Sequence, residues 1–286
     1  MNTRKILFLI VCLCVSTVMH AQIRLSFNPT VGKTYVYQTV NEMQIRQTLM
    51  GMEMPSNMKS EMLIEMTATE KNNDEIRVDF SYLSSAVQVS SPIINFRVDS
   101  DTDIETLSGM EKEMAQIINS FVGKTVNIIF RTDGSIKSIS GFDAIRDFNP
   151  ANPAMAMFGE DAIRQLFEQS FSVYPDKEVR VGDSWSRNME LVMQGMNTNS
   201  ESTLTLTSIA DNVASLDMVI TMVMTSTEAE IDGNISGEIK GKAKLDIPTG
   251  MIISFNQEGS VGGTLQARGM EIGMEMIVKG TFTLVQ

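Results

Sequence analysis

Apolar and polar residues alternate along most of this chain, in runs separated by short polar or glycine-containing turns. One run has apolar residues at Ile76, Val78, Phe80 and Tyr82, and a later one has them at every second position from Leu216 to Met224. A period of two is typical of strands with one buried face and one solvated face. The pattern therefore predicts a mainly β protein with antiparallel strands.

A segment with helical periodicity interrupts this alternation at residues 102–121. Thr102 and Glu105 form a capping-box pattern, in which each side chain satisfies a backbone N–H group at the start of a helix. The apolar residues that follow at helical spacing are Ile104, Leu107, Met110, Met114, Ile117, Ile118 and Phe121. The spacing predicts an amphipathic helix inserted between strands.

A second helix is predicted within residues 146–175. Its apolar face consists of Ile163, Leu166, Phe167 and Phe171. Tyr174 and Pro175 end the pattern, because the residue before a proline avoids the helical conformation.

A five-residue motif occurs twice. Val-Gly-Lys-Thr-Tyr at residues 31–35 recurs as Val-Gly-Asp-Ser-Trp at residues 181–185, which is 181 − 31 = 150 positions later. Each copy is followed by strands of similar pattern, and each is followed later by a Gly-Lys pair, at Gly123 and Gly241. We infer a duplication, in which each motif begins the first strand of a unit and its glycine permits a tight entry turn.

These elements predict a mainly β fold with two or three helices, of the α+β class. Two related antiparallel β-meander units pack with the inserted helix and the connecting helix. The expected division is a signal peptide at 1–21, a first β unit at 22–145, a helical connector at 146–175 and a second β unit at 176–286. One sandwich or barrel and two separate lobes are both compatible with this pattern.

The start of the chain predicts export. Arg4 and Lys5 form a basic start, and the apolar run at 6–18 ends near Ala21, where a cleavage site is expected. The run is too short to span a bilayer, which is typical of a secretory signal peptide. We expect a location in the periplasm or at the outer-membrane or extracellular surface, without a transmembrane segment in the mature chain.

Cleavage after Ala21 restricts the chemistry of the mature chain, because Cys12, Cys14 and His20 are the only cysteines and the only histidine. Disulfides, thiolate or imidazole metal ligands, a cysteine nucleophile and an imidazole base are all excluded. We therefore expect no cofactor, no metal and no enzymatic activity.

The charge of the chain argues against nucleic acid as a partner. The formal net charge is −12, and removal of Arg4 and Lys5 leaves 21 basic against 35 acidic residues, or −14. A chain this acidic repels phosphate backbones and anionic lipid surfaces.

Methionine is unusually frequent, with 23 residues. Several share a parity within one strand and so point to one face. These sets are Met50, Met52 and Met54; Met58, Met62 and Met66; Met218, Met222 and Met224; and Met270, Met274 and Met276.

Three interpretations of these methionines are open. They can fill a core, since an unbranched thioether adapts to irregular gaps. They can line a surface for a lipid or another apolar ligand. They can also form a thioether site for copper(I), a soft ion.

Two short motifs have incomplete chemistry. The acidic run at 99–103 resembles the start of a calcium loop, but Ile104 replaces the required glycine and Met110 replaces the final glutamate. Residues 56–59 match the Ser-x-x-Lys pattern of penicillin-binding proteins, without the Lys-Thr-Gly strand that completes that site. We expect a helix cap from the first motif and no catalysis from the second.

The repeated start at Val31–Tyr35 and Val181–Trp185, the Ala-Gln end of the signal and the threonine-rich meanders resemble an uncharacterised family of secreted Bacteroidota proteins of unknown function. This resemblance implies a cell-envelope setting and no known activity. In architecture alone, the curved antiparallel sheets with helices are similar to LolA-like periplasmic lipoprotein carriers.

The leading hypothesis is a non-enzymatic envelope protein that binds an apolar ligand or lipid between curved sheets and helices. The candidate lining residues are Met218, Met222, Met224, Met270, Met274, Met276, Ile117, Phe121, Leu166 and Phe171. The alternative is a structural or protein-interaction module of the envelope or cell surface, which recognises an envelope protein through a polar sheet face or an edge strand.

Overall fold

The period-two alternation produces strands over most of the chain. This computed structural model describes residues 22–141, 164, 167, 168, 171, 173–193, 196–228, 230–267 and 269–286. The strands are β1 (Thr34–Leu49), β2 (Met52–Asn72), β3 (Glu75–Ser90), β4 (Asn95–Asp99), β5 (Thr125–Arg131), β6 (Ile136–Ser140), β7 (Ser184–Met193), β8 (Met196–Ala210), β9 (Val213–Ser226), β10 (Ile231–Asp246), β11 (Ile252–Ala267) and β12 (Met270–Leu284).

The predicted α+β class with two or three helices is wrong. Strands account for 68% of the described residues and helix for 9%. The strands form one antiparallel sheet of 12 strands, and the complete α-helix within the described residues is α1 (Gly109–Phe121). The protein is therefore nearly all β, and both halves of the chain contribute to the same sheet.

The inserted helix exists but begins at Gly109, later than the predicted Thr102. The Asp103 side chain accepts a hydrogen bond from the Glu105 N–H group at 3.1 Å, which caps a turn of 3-10 helix at Ile104–Thr106. The Thr102 hydroxyl donates to Asp99 at 2.8 Å. The predicted capping box is therefore replaced by two tight turns that precede α1.

The predicted connecting helix is described at four residues. Arg164, Phe167, Glu168 and Phe171 have helical backbone conformation, and Phe167 and Phe171 are buried. Leu166 lies outside the described residues.

Strands that follow one another in the chain pair as hairpins. The order across the sheet is β6-β5-β3-β2-β1-β12-β11-β10-β9-β8-β7, and β4 pairs with β3. β1 and β12 therefore join the first half of the chain to the second, with Tyr37 opposite Leu284 and Leu49 opposite Ile272. We call this pairing the β1–β12 seam.

The two copies of the repeated motif form equivalent turns. Gly32 and Gly182 have φ angles of 81° and 95°, in the region that favours glycine. Their N–H groups donate, both at 2.8 Å, to the carbonyl oxygens of Ala68 and Leu206, respectively. The predicted correspondence of these two motifs is confirmed at the backbone, while the division into two units stays a prediction.

The sheet has an inner face and an outer face, which alternate along each strand. The inner face carries the side chains of Tyr37, Phe80 and Leu216 and holds the buried core. The lower end of the sheet contains the β2–β3, β5–β6, β8–β9 and β10–β11 turns. The upper end contains the β1–β2 turn, the last residues of β7, β9 and β11 and the first residues of β8, β10 and β12.

The main core lies on the lower half of the inner face. Phe27 packs against Phe130 and Phe171, with ring centroids 4.8 and 5.4 Å away. The Phe27 N–H group donates to Thr132, and the next N–H group, from Asn28, donates to Thr249, both at 2.8 Å. The segment near Phe27 thus connects the β5–β6 turn to the β10–β11 turn and covers the lower half of the inner face.

Candidate functional site

The upper half of the inner face is apolar and only partly covered. Its rows follow from the strand register: Met43 lies opposite Met58 and Val278, and Ile45 lies opposite Met276. The partly buried apolar residues of this surface are Met43, Ile45, Leu49, Met222, Met224, Ile272, Met274, Met276 and Val278. Met54 and Met58 are 38% and 37% exposed. We call this surface the methionine face.

A small buried cluster organises one side of the methionine face. Ile235, Val261 and Leu265 are its buried members. The methionines that pack against it are Met222, Met224, Met274 and Met276. Four of the predicted lining residues are therefore brought together by strands β9 to β12.

Glycines allow β10 and β11 to approach closely at this cluster. A Cβ atom added to Gly237 would lie 2.1 Å from the Ser260 carbonyl oxygen, and one added to Gly263 would lie 2.1 Å from that of Asn234. No larger residue fits at these distances without a backbone shift. The sheet is thus tightly bent where Ile235 and Val261 become buried.

Helix α1 covers the inner face at the β3–β4 edge. Ala115 and Ile118 pack with Phe96 and Val98 of β4 in a second buried cluster. Phe121, one of the predicted lining residues, contacts the Tyr82 ring at a centroid distance of 4.9 Å. Ile117, another predicted residue, is also buried, so α1 uses both of these side chains for packing.

The remaining predicted lining residues lie elsewhere. Met218 and Phe171 are buried in the main core, where they are 8% and 6% exposed. Met270 is 39% exposed at the upper end of β12.

A polar row separates the main core from the methionine face. Asn41 pairs with Gly280, which pairs with Gln257 on the next strand. A Cβ atom on Gly280 would lie 2.9 Å from Asn41 Oδ1 and 3.1 Å from Gln257 Nε2, so both amides lie over this glycine. The Asn41 amide also donates to the Thr39 hydroxyl at 3.2 Å. This row provides hydrogen-bonding groups next to an apolar surface.

The outer face has the opposite character. A row of alternating charges crosses five strands through Lys240, Glu258, Lys279, Glu42 and Lys59. An open hollow of about 530 Å³ lies beside this row and is lined by charged and amide side chains that include Lys242 and Asn256. Opposite charges on neighbouring strands stabilise the register by about 0.2–1 kcal/mol per pair. We infer that the outer face is solvated.

Burial keeps the inner-face tyrosines protonated. Burial raises the pKa of Tyr82 to about 12 and raises the pKa values of Tyr174 and Tyr37 further above their ordinary range. These hydroxyl groups therefore stay protonated at neutral pH and are poor bases.

An ion pair fixes the segment that leads into β7. Arg187 donates to Asp176 at 2.7 and 3.0 Å and to the Tyr174 carbonyl oxygen at 2.6 Å. The hydrogen bond from Arg187 lowers the pKa of the Asp176 carboxyl group. The Trp185 indole also donates to the Val173 carbonyl oxygen at 3.1 Å, so this tryptophan anchors the same segment.

The acidic run at 99–103 forms turns. Asp99 accepts hydrogen bonds from the Asp101 N–H group and the Thr102 hydroxyl, at 3.2 and 2.8 Å. The described residues contain no group of three or more acidic, histidine or cysteine side chains that could hold a metal ion. In the same part of the chain, no helix is long and apolar enough to cross a bilayer.

Several residues of the methionine face were missed by the sequence analysis. Four apolar residues lie on it, and each shares its sheet face with a predicted methionine on a neighbouring strand. These residues are Ile45, Ile235, Val261 and Leu265. The signal that was available is the set of glycines at every fourth position in β10 and β11, such as Gly233 and Gly237, and Gly259 and Gly263. Regular glycines within strands indicate a bend or a close approach.

Comparisons with known proteins give a family match over part of the chain and several distant structures. Residues 150–252 match a family of unknown function, DUF6263. No curated protein matches the chain.

The solved structures that match are distant from this chain. A lipovitellin structure concerned with lipid–protein interactions is 12% identical to this chain, with a TM-score of 0.49. The match covers 90% of this chain and 25% of the lipovitellin chain. OccK5 (OpdH) of Pseudomonas aeruginosa is 4% identical to this chain, with a TM-score of 0.27. The match covers 90% of this chain and 99% of the OccK5 chain. An outer membrane channel from Pseudomonas putida F1 is 8% identical to this chain, with a TM-score of 0.24. The match covers 90% of this chain and 97% of the channel chain. The chain thus spans a quarter of the lipovitellin chain.

Proposed function

We propose that this protein is a non-enzymatic protein of the cell envelope that binds an apolar ligand, such as a lipid, on the methionine face. The observation that carries the proposal is a largely apolar surface of partly buried methionine and other apolar residues that crosses the adjacent strands from β2 to β9, with Gln47 and Ser56 as polar residues on the same face. Leaving such a surface in water costs about 25 cal/mol for each Å² of apolar area. A bound apolar ligand removes that cost.

The composition of the methionine face suits a chain-like ligand. Thioether side chains are unbranched and polarisable, so they adjust to ligands of different shape. The polar row at Asn41 and Gln257 lies at the lower border of this surface. A ligand with an apolar body and one polar end would find partners for both parts.

Sequence features support the same proposal. The basic start and apolar run at 6–18 favour export. The lack of cysteine and histidine after residue 21 favours binding over catalysis.

Native mass spectrometry of the signal-cleaved protein, followed by organic extraction, tests the proposal. We expect a reproducible lipid adduct on the wild type. Met276→Gln places an amide on the methionine face and should remove most of the adduct. Ile277→Gln changes the next residue of β12, which belongs to the outer face, and should leave the adduct unchanged. A wild-type protein that carries no adduct under gentle conditions would reject ligand binding and favour the protein-interaction alternative.

A further inference from the structure

The β1–β2 turn has an unusual residue at its tip. Leu49 pairs with Met52, so Met50 and Gly51 form a two-residue turn. Their φ angles are 51° and 77°, and such paired positive values are those of a type I′ turn. Asn, Asp or Gly is expected at the first of these positions, because other side chains are strained in the left-handed region.

The β8–β9 turn shows what this chain uses elsewhere for the same geometry. Ala210 pairs with Val213, and the turn residues Asp211 and Asn212 have φ angles of 51° and 62°. Met50 therefore occupies the position of Asp211 without a polar side chain that could bond the local backbone. Its side chain is 75% exposed, so burial does not offset the strain. A strained and exposed apolar residue points to a contact outside the chain.

The neighbouring residues extend this exposed apolar surface. Met52 and Met54 are 65% and 38% exposed on β2, and Met270 is 39% exposed on β12. Because β2, β1 and β12 are adjacent, these residues lie together at the upper end of the sheet. We call Met50, Met52, Met54 and Met270 the methionine rim. Met52 pairs with Leu49, so the rim is continuous with the methionine face.

We propose that the methionine rim docks on a bilayer of zwitterionic phospholipid, from which the apolar ligand reaches the methionine face. This inference rests on the proposed function. The formal net charge of −12 disfavours an anionic lipid surface, so apolar side chains must provide the attraction. Four side chains are too few for the roughly 800 Å² per partner of a stable protein interface, whereas shallow insertion into a bilayer needs only a small apolar tip.

Flotation of the full, signal-cleaved protein with phosphatidylcholine vesicles tests the inference. We expect the wild type to float with the vesicles to the same extent at low salt and at high salt, because apolar contact is not screened. Met50→Asn combined with Met52→Asn should lower the vesicle partition coefficient about tenfold, since two apolar contacts are lost. Asparagine suits the turn at position 50, so the variant should fold.

Val285→Asn is the matched control, because Val285 is 52% exposed at the lower end of the sheet. It should float like the wild type. A wild type that does not float, or a double variant that floats like it, would overturn the inference. A dimer in sedimentation velocity that the double variant dissociates would also overturn it, in favour of a second copy of the chain.

The lipid content measured by mass spectrometry separates this inference from the proposed function. A protein that retains lipid but does not float keeps the methionine face as a binding site and rejects docking by the rim. A protein that floats but retains no lipid keeps docking by the rim and rejects the methionine face as a binding site, and a protein that neither floats nor retains lipid rejects both.

Discussion

The buried hydroxyl of Tyr174 donates a hydrogen bond to the carbonyl oxygen of Gly250 at 2.9 Å. The Tyr174 ring also lies against Gly134, where an added Cβ atom would come within 2.6 Å of it. One side chain from the segment before β7 therefore contacts both the β5–β6 turn and the β10–β11 turn. These turns belong to opposite halves of the sheet, so Tyr174 ties the two halves together at the lower end.

Tyr174→Phe should lower the free energy of unfolding by about 1 kcal/mol, because it removes one hydrogen bond and leaves a buried carbonyl group unpaired. Urea denaturation followed by tryptophan fluorescence measures this change, since Trp185 packs near the same segment. Tyr174→Ala should cost about 3–5 kcal/mol, because the ring itself is lost from the core. Equal stability of Tyr174→Phe and the wild type would mean that the hydrogen bond makes no net contribution.

Alkaline pH should destabilise the protein. Burial raises the folded-state pKa of Tyr82 to about 12, while an unfolded tyrosine titrates near 10. A group with a raised folded pKa stabilises the fold fully below the unfolded pKa, and this contribution is lost as pH rises through the folded pKa. The free energy of unfolding should therefore fall between about pH 10 and pH 12.

The measurement is urea denaturation at a series of pH values, with tyrosinate absorbance recorded in parallel. Tyr82→Phe removes one of the titrating groups, so its stability should fall less steeply over this range. An identical slope in the variant and the wild type would contradict the role of Tyr82.

Gly237→Ala should be strongly destabilising. The added Cβ atom would lie 2.1 Å from a backbone oxygen of β11, so the two strands must separate. We expect a loss of about 2–3 kcal/mol, in the upper part of the range of overpacked sites. Gly273→Ala is the control, because its Cβ atom would lie 3.4 Å from the nearest atom, in the Thr48 side chain. Thermal unfolding of both variants checks the difference, and similar losses would argue against tight bending at β10–β11.

Met50→Asn should raise the free energy of unfolding by about 0.5–1 kcal/mol, because asparagine tolerates a positive φ better than methionine does. Chemical denaturation measures this gain. Asp211→Met is the reciprocal change in the β8–β9 turn and should lower stability by a similar amount. A destabilised Met50→Asn variant would show that the exposed methionine has a structural role in the turn.

The faces of the sheet could be predicted from the sequence, but positions along the strands could not. Met218, Met222 and Met224 share a parity and lie on the inner face as expected. Met218 is buried in the main core, whereas Met224 lies beside the upper cluster. A period of two identifies the sheet face on which a residue lies. It contains no information about how far along the strand the residue lies from the main core.

The single sheet could not be predicted because its central pairing is not local. Tyr37 lies opposite Leu284, and no nearby sequence feature identifies such a partner. The repeated glycine motif correctly indicated two equivalent turns, at Gly32 and Gly182, since that geometry depends on neighbouring residues. The same sequence pattern was compatible with a sandwich, a barrel or two lobes.

The β1–β12 seam has a consequence for the time at which the fold can form. Among the described strands, β1 is synthesised first and its partner β12 is synthesised last. Until β12 arrives, β1 and β11 each keep one edge without its final partner, and such edges promote aggregation. Contacts between residues so distant in sequence also slow folding. We therefore expect β1 to stay without this partner until β12 has been synthesised, which leaves a waiting period in which a chaperone is useful.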